Sequence, residues 1–202
     1  MYALNGKLAL ITGGASGLGL ATARLFAKQG ADLALFDINQ SVETVAQEIQ
    51  AEYPLLKISS HLGDVTKAND IKNLFDQIRS AHTKHACPNI VVNSAGIARY
   101  NSLVDITEEE FDRMIAINQK GTFLVTQMAV KLLIENFTNA KFNSETESYA
   151  SIINLASQAG KLGAARLSHY SMTKAAVESF SKAIAKELGP YRIRCNAVLP
   201  YY

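Results

Sequence analysis

A doubly wound parallel α/β sheet is the fold class this sequence predicts, on three observations. Short apolar runs of strand length alternate with longer amphipathic segments, the pattern of successive βαβ units. A glycine-rich turn, Thr12-Gly13-Gly14-Ala15-Ser16-Gly17-Leu18-Gly19, directly follows the first run and opens the first amphipathic segment. The 202 residues, 48% of them hydrophobic, suffice for a substantial core, and no Pro/Gly/Ser-rich linker divides them. One domain over residues 1–202 is therefore expected.

The elements follow in order. Strands are read at 7–12, 32–36, 55–60, 90–93, 151–155 and 192–199. A helix over 17–29 carries Leu20, Ala23, Leu25, Phe26 and Ala27 at helical spacing and is closed by Gly30, a residue suited to positive φ. Helices over 39–52, 67–81 and 170–188 read the same way, the last closed by Gly189-Pro190. Thr107-Glu108-Glu109-Glu110 is a capping box, in which Glu110 is expected to reach back to the first turn. The helix it starts runs through Asp112, Met114 and Ile117, and Gly121 opens a second apolar stretch over 123–133. Phe123, Val125, Met128 and Leu132 form its expected core face. Residues 135–149 turn polar and read as an exposed loop.

Composition excludes several function classes. Twenty Lys and Arg against eighteen Asp and Glu, with the basic residues scattered, argue against a nucleic-acid partner. No apolar run is long enough for a membrane-spanning helix, and the first one, after six residues, does not form a signal peptide. Cys87 and Cys195 show no ligand spacing and read as ordinary thiols of a reducing compartment. His61, His82 and His85 have no acidic or cysteine partners at metal-ligand spacing, so no metal site is expected. His169 stands beside Tyr170, but neighbouring helical residues point different ways. Two glycosylation sequons, beginning at Asn39 and Asn136, are read as chance.

The glycine turn carries the first functional argument. Glycines let the backbone approach a pyrophosphate closely, and the free N–H groups of a helix N-terminus favour its charge. Gly13, Ser16, Gly17, Leu18 and Gly19 are the residues placed to meet it. Asp37 ends the second strand eighteen positions after Gly19, where a carboxylate accepts from adenosine ribose hydroxyls and repels a 2′-phosphate. No basic residue stands inside the loop. The expected cofactor is NAD; an NADPH-dependent reductase is the lesser alternative.

With the loop spacing TGxxxGxG, the chain resembles the short-chain dehydrogenase/reductase family, and further motifs appear in order. Asp64-Val65 looks like the family's adenine contact, and Asn93-Ser94-Ala95-Gly96 is similar to its Asn-Asn-Ala-Gly, with Ser94 in place of the second Asn. Asn118 matches the family's helix-breaking catalytic Asn, Ser157 lies thirteen residues before Tyr170, and Tyr170-Ser-Met-Thr-Lys174 matches YxxxK. The resemblance covers 6–200. It implies a Rossmann sheet, Asn118, Ser157, Tyr170 and Lys174 as catalytic residues, and Asp64, Val65, Asn93, Ala95, Gly96, Tyr170, Lys174 and Pro200 at the cofactor. Stretches 121–127, 151–154 and 193–200 look like the type 8 17β-hydroxysteroid dehydrogenases and the 3-oxoacyl-acyl-carrier-protein reductases. That likeness implies a 3-hydroxyacyl thioester or steroid substrate, helices paired across a homodimer or tetramer interface, association with a related reductase subunit, and a mitochondrial-matrix or cytoplasmic location.

Four-residue spacing puts Tyr170 and Lys174 on one helix face. A phenol with an ordinary pKa of about 10 is a poor base at neutral pH, and a nearby ammonium favours its ionised form. The resemblance implies that Lys174 also holds the nicotinamide ribose, that Ser157 bonds the substrate oxygen, and that Asn118 holds a water linking Lys174 to solvent. Pro200 matches the family's Pro-Gly after strand six, Tyr201 stands at the Gly, and the family's seventh strand and C-terminal substrate helices are missing from this sequence. That ending leaves one alternative of another class, a non-catalytic NAD-binding scaffold subunit supporting a partner reductase.

Overall fold

A computed structural model describes residues 3–85, 87–137 and 148–201. Six strands form one parallel sheet: β1 (Leu8–Thr12), β2 (Asp32–Asp37), β3 (Ile58–Leu62), β4 (Ile90–Asn93), β5 (Ala150–Leu155) and β6 (Ile193–Val198). Their spatial order is β3-β2-β1-β4-β5-β6, with every pair parallel. The chain reverses direction of travel between β1 and β4, and in open α/β sheets the crevice at that switch point takes the ligand.

Alternation along β1 explains the layers. Leu8 and Leu10 face one apolar cluster and Ala9 and Ile11 the other, all fully buried. The first cluster is closed by α3 (Ala68–Ala81), through Ile71, Leu74 and Ile78, and by the helices over Thr122–Phe137 and Ser168–Leu188. The second is closed by α1 (Gly17–Lys28) and α2 (Ser41–Glu52), through Ala23, Ala27, Val42 and Ile49. Each buried Leu or Ile contributes about 1.5–3 kcal/mol through removal of apolar area from water.

The third strand lies two to three residues beyond its expected place. Leu55 is 99% exposed because a turn closed by Leu56 N–H on Tyr53 C=O carries it outward. Pairing of Asp37 with Leu62 then defines the strand's end. Between α4 (Glu108–Ile115) and α5 (Thr122–Phe137) the helix does not break at Asn118; a π-helical segment over Ala116–Gly121 joins them. Such wider turns accompany functional sites. The buried face of α5 is Thr122, Val125, Thr126, Ala129 and Leu133, while Phe123 is 44% exposed and stacks obliquely on Phe180. Of the expected core face, Val125 is fully buried and Met128 and Leu132 pack partly buried against the first cluster, so Phe123 alone lies off it. α5 also runs into the polar stretch as far as Phe137; residues 138–147 of that stretch, and Thr138 of the second sequon, lie outside the described residues. Two further helices, α6 (Gln158–Leu162) and α7 (Ser168–Leu188), follow β5.

Among the described residues, no helix is long and apolar enough to cross a membrane, and no group of three or more His, Cys, Asp or Glu is arranged to hold a metal. His85 does meet an acidic partner, Asp32, at 3.0 Å. Ser59 Oγ lies 2.8 Å from both His61 Nε2 and His82 Nε2, so these two histidines share one hydroxyl. Burial lowers the pKa of both, to about 4 for His82. Cys87 and Cys195 are free and buried, and burial raises both thiols.

Candidate active site

Carboxyl ends of all six strands open onto one cleft of about 430 Å³. Gly13, Ser16, Gly17 and Leu18 line it after β1, Asp37 at the end of β2, Asp64 and Val65 after β3, Ala95 and Gly96 after β4, Ser157 after β5, and Pro200 after β6. Tyr170 and Lys174 reach it from α7. Gly19, Asn93 and Asn118 do not line it.

Gly19 acts from behind: a Cβ there would stand 2.1 Å from Gly13 O. A Cβ at Gly13 would stand 2.9 Å from Ala95 N, so the loop presses against the turn after β4 as well. Ser16, the N-cap of α1, makes no side-chain cap, and the first turn holds no acidic residue. The helix therefore presents unpaired N–H groups to the cleft, which suits a pyrophosphate. Asp37 ties this loop to β2: Ala15 N–H donates to its Oδ2 (3.0 Å) and Asn39 N–H to its Oδ1 (2.9 Å). It does not cap α2; Ser41 N–H turns instead to Asn39 Oδ1. Asp64 accepts from Thr66 N–H at 2.8 Å, fixing the turn that sets Val65 against Gly121. These features fit a dinucleotide: a small-residue cradle, a helix N-terminus and a fixed carboxylate.

Asn93 is 3% exposed and sits inside the sheet. Its amide donates to Thr126 Oγ1 (2.9 Å) and Asn154 Oδ1 (2.8 Å), and Asn154 donates onward to Ser181. The structure gives it a part in binding β4 to β5 and α5. Asn118 is likewise buried. Its Oδ1 accepts from Ile97 N–H, and its Nδ2 donates to Ile97 C=O and Thr173 Oγ1, at 2.9, 2.9 and 3.1 Å. It clamps the turn after β4 to α7. Gly96 leaves the space between Asn118 and Lys174: a Cβ there would lie 3.2 Å from Asn118 Oδ1 and 3.5 Å from Lys174 Nζ.

Lys174 Nζ donates to Leu155 C=O at 2.6 Å and stands 5.7 Å from the centre of the Tyr170 ring. The side chain is buried, and burial lowers its pKa from 10.5 to about 8. At neutral pH the ammonium is still charged, and it stands beside the Tyr170 ring at the wall of the cleft. The sign of the resulting pH dependence is fixed. Below pH 8 both folded and unfolded chains carry the proton, and the buried charge opposes folding in full. As pH rises from about 8 toward 10.5, the folded state releases the proton first, so stability increases. Lys174→Met is expected to be more stable than the parent at neutral pH, and the gap to shrink by about 2–3 kcal/mol toward pH 10. Urea midpoints of both proteins across that range measure it, since titration of the buried thiols is common to both; a constant gap would contradict it.

Ser157 is the N-cap of α6, and its Oγ accepts from Ala159 N–H at 3.1 Å. That bond engages a lone pair and leaves the O–H able to donate. Gly160 brings α6 against α7: a Cβ there would lie 2.5 Å from Ala175 N and 2.7 Å from Lys174 C. Sequence reading missed Gly160, although its place three residues after Ser157 was available as a signal. It also missed Thr173, whose Oγ1 donates to Tyr170 C=O at 2.7 Å, and the lining residues Ile97, Arg113 and Ile117.

A nucleotide cradle at the switch point, with a hydroxyl, a phenol and a buried ammonium gathered beside it, defines a dehydrogenase-type α/β protein. A family profile described as short chain dehydrogenase matches residues 7–202, and the chain belongs to that family, as an oxidoreductase acting on CH–OH donors. It is 35% identical to a (3R)-3-hydroxyacyl-CoA dehydrogenase of Canis lupus familiaris, over 98% of this chain and 74% of that one. It is 36% identical to a 3-oxoacyl-acyl-carrier-protein reductase of Thermotoga maritima, with the same coverage. Among solved structures, a 3-ketoacyl-acyl-carrier-protein reductase of Brucella melitensis complexed with NADH superposes with a TM-score of 0.85 at 32% identity, covering 98% of this chain and 76% of that one.

Proposed function

We propose that this chain is an NAD-dependent oxidoreductase that interconverts a 3-hydroxyacyl and a 3-oxoacyl thioester. The observation that carries the chemistry is the buried Lys174 ammonium beside the Tyr170 ring at the cleft. Hydroxyacyl and oxoacyl substrates in the names of the similar proteins support the substrate class. The cleft at the ends of all six strands supports reading residues 1–202 as one dinucleotide-binding domain.

Gly13, Ser16, Gly17 and Leu18 would hold the pyrophosphate, Asp37 the adenosine ribose, Asp64 and Val65 the adenine, and Lys174 the nicotinamide ribose. When bound, NAD supplies the hydride acceptor, and NADH the donor. Tyr170 takes the substrate hydroxyl proton in oxidation and returns it to the carbonyl oxygen in reduction. Lys174 lowers the cost of the phenolate form while its own charge is kept. Ser157 donates to the substrate oxygen, where negative charge develops during reduction. Asn118 positions the group through Thr173 and Ile97. The exposed Phe123 on α5, stacked on Phe180 of α7, supports a homodimer paired through those two helices.

Asp37 is the basis for NAD over NADP. Asp37→Ser is expected to lower the preference for NADH over NADPH by at least about tenfold, since the negative charge facing a 2′-phosphate is gone. Dissociation constants for both cofactors from fluorescence titration check it. An unchanged ratio, or parent protein favouring NADPH, would reject NAD as the cofactor.

A further inference from the structure

Behind Tyr170 lies a buried ionisable pair with no part in the mechanism above. The side chains of His169 and Glu110 are 1% and 10% exposed, with His169 Nε2 and Glu110 Oε1 3.2 Å apart. They are within ion-pair distance yet misaligned for a hydrogen bond, and among the described residues His169 Nδ1 meets no partner. A carboxylate this far from water needs partners, and removing one is costly.

Glu110 has left the task its sequence suggested. Thr107 Oγ1 accepts from Glu110 N–H at 3.2 Å, which caps α4, but the Glu110 carboxylate does not complete the box. Its Oε2 accepts from Asn101 Nδ2 at 3.2 Å, and Arg99 Nε lies 3.8 Å away. Asn101 in turn donates from its side chain to Asp105 C=O (3.1 Å) and from its backbone to Arg166 C=O (2.9 Å). One carboxylate thus gathers the loop after β4, the start of α4 and the first turn of α7. The loop starts at Ile97 and Ala98, which line the cleft. Successive helical residues point about 100° apart, so burying His169 against Glu110 sets the rotation of the turn that presents Tyr170.

We propose that Glu110 and His169 form a positioning pair that locks the 99–106 loop to the first turn of α7 and so fixes where Tyr170 stands. The catalytic part of this inference rests on the assignment of Tyr170 to proton transfer; the mechanical part does not. Hydrogen exchange of the full chain with bound NADH tests the mechanical part. In His169→Ala, amides of 99–106, distant in sequence, should exchange about tenfold faster, and in Glu110→Ala those of 168–172 should do the same, with β1 and β4 unchanged. Glu110→Gln and His169→Gln, which keep an acceptor and a donor, should recover most of the protection and serve where an alanine variant does not fold. Loosening confined to each variant's own segment would overturn the pair. For the catalytic part, the alanine variants should lose about tenfold in kcat at unchanged NADH affinity. Full kcat in both would overturn the positioning role, whereas full activity in Tyr170→Phe would overturn the assignment of Tyr170 alone.

Discussion

Replacing Tyr170 with Phe is expected to lower turnover by about 10²–10⁴-fold, the range associated with loss of a positioned acid or base. The ring stays, so the packing of α7 and its approach to Lys174 are preserved, and only the group that exchanges a proton is lost. NADH affinity should stay within about twofold, because the cradle, Asp37 and Lys174 are untouched. Steady-state rates in both directions, with a binding titration, separate the two quantities. Loss of affinity matching the loss of rate would mean that Tyr170 binds cofactor more than it moves protons.

Gly19→Ala is expected to act on the other half of the site and to weaken NADH binding by at least about 100-fold, or roughly 2.7 kcal/mol. The added methyl would sit 2.1 Å from the Gly13 carbonyl oxygen and 2.7 Å from its carbon. Those are backbone atoms with no alternative rotamer, so the cradle itself must move. Gly17→Ala is the informative comparison. A Cβ there meets nothing within 4 Å, and only its φ of +54° opposes a side chain, a cost of about 1–2 kcal/mol. Similar losses in the two variants would show that backbone conformation, and not close approach, shapes the cradle.

Much of this arrangement was legible in the residues because most strands announce themselves by an apolar run and most cleft residues stand at a strand's carboxyl end, while Tyr170 and Lys174 reach the cleft from α7. Asp37 and the glycine turn could be placed from spacing, and Ser157 from its place before the Tyr170-Ser-Met-Thr-Lys174 motif in the family resemblance. Where reading failed, a force with no local signature intervened. Leu55 looks like a strand residue but is carried out by a turn that depends on Tyr53. Asn118 marks a point where the helix widens without stopping, since its side chain finds partners on Ile97 and Thr173, distant in sequence. Glu110 fits a local capping rule and is drawn off by Asn101 and His169. Gly160, although only three residues after Ser157, shows its importance where α6 presses on α7.

Mixing the purified chain with NADH and acetoacetyl-CoA, and following NADH consumption beside the Tyr170→Phe variant, tests the proposed reaction most directly. NADH should be consumed in proportion to 3-hydroxybutyryl-CoA formed, with little consumption by the variant and less with NADPH in place of NADH. Binding of NADH without turnover of the thioester, or equal turnover by Tyr170→Phe, would contradict the proposal that this cleft reduces 3-oxoacyl thioesters through Tyr170.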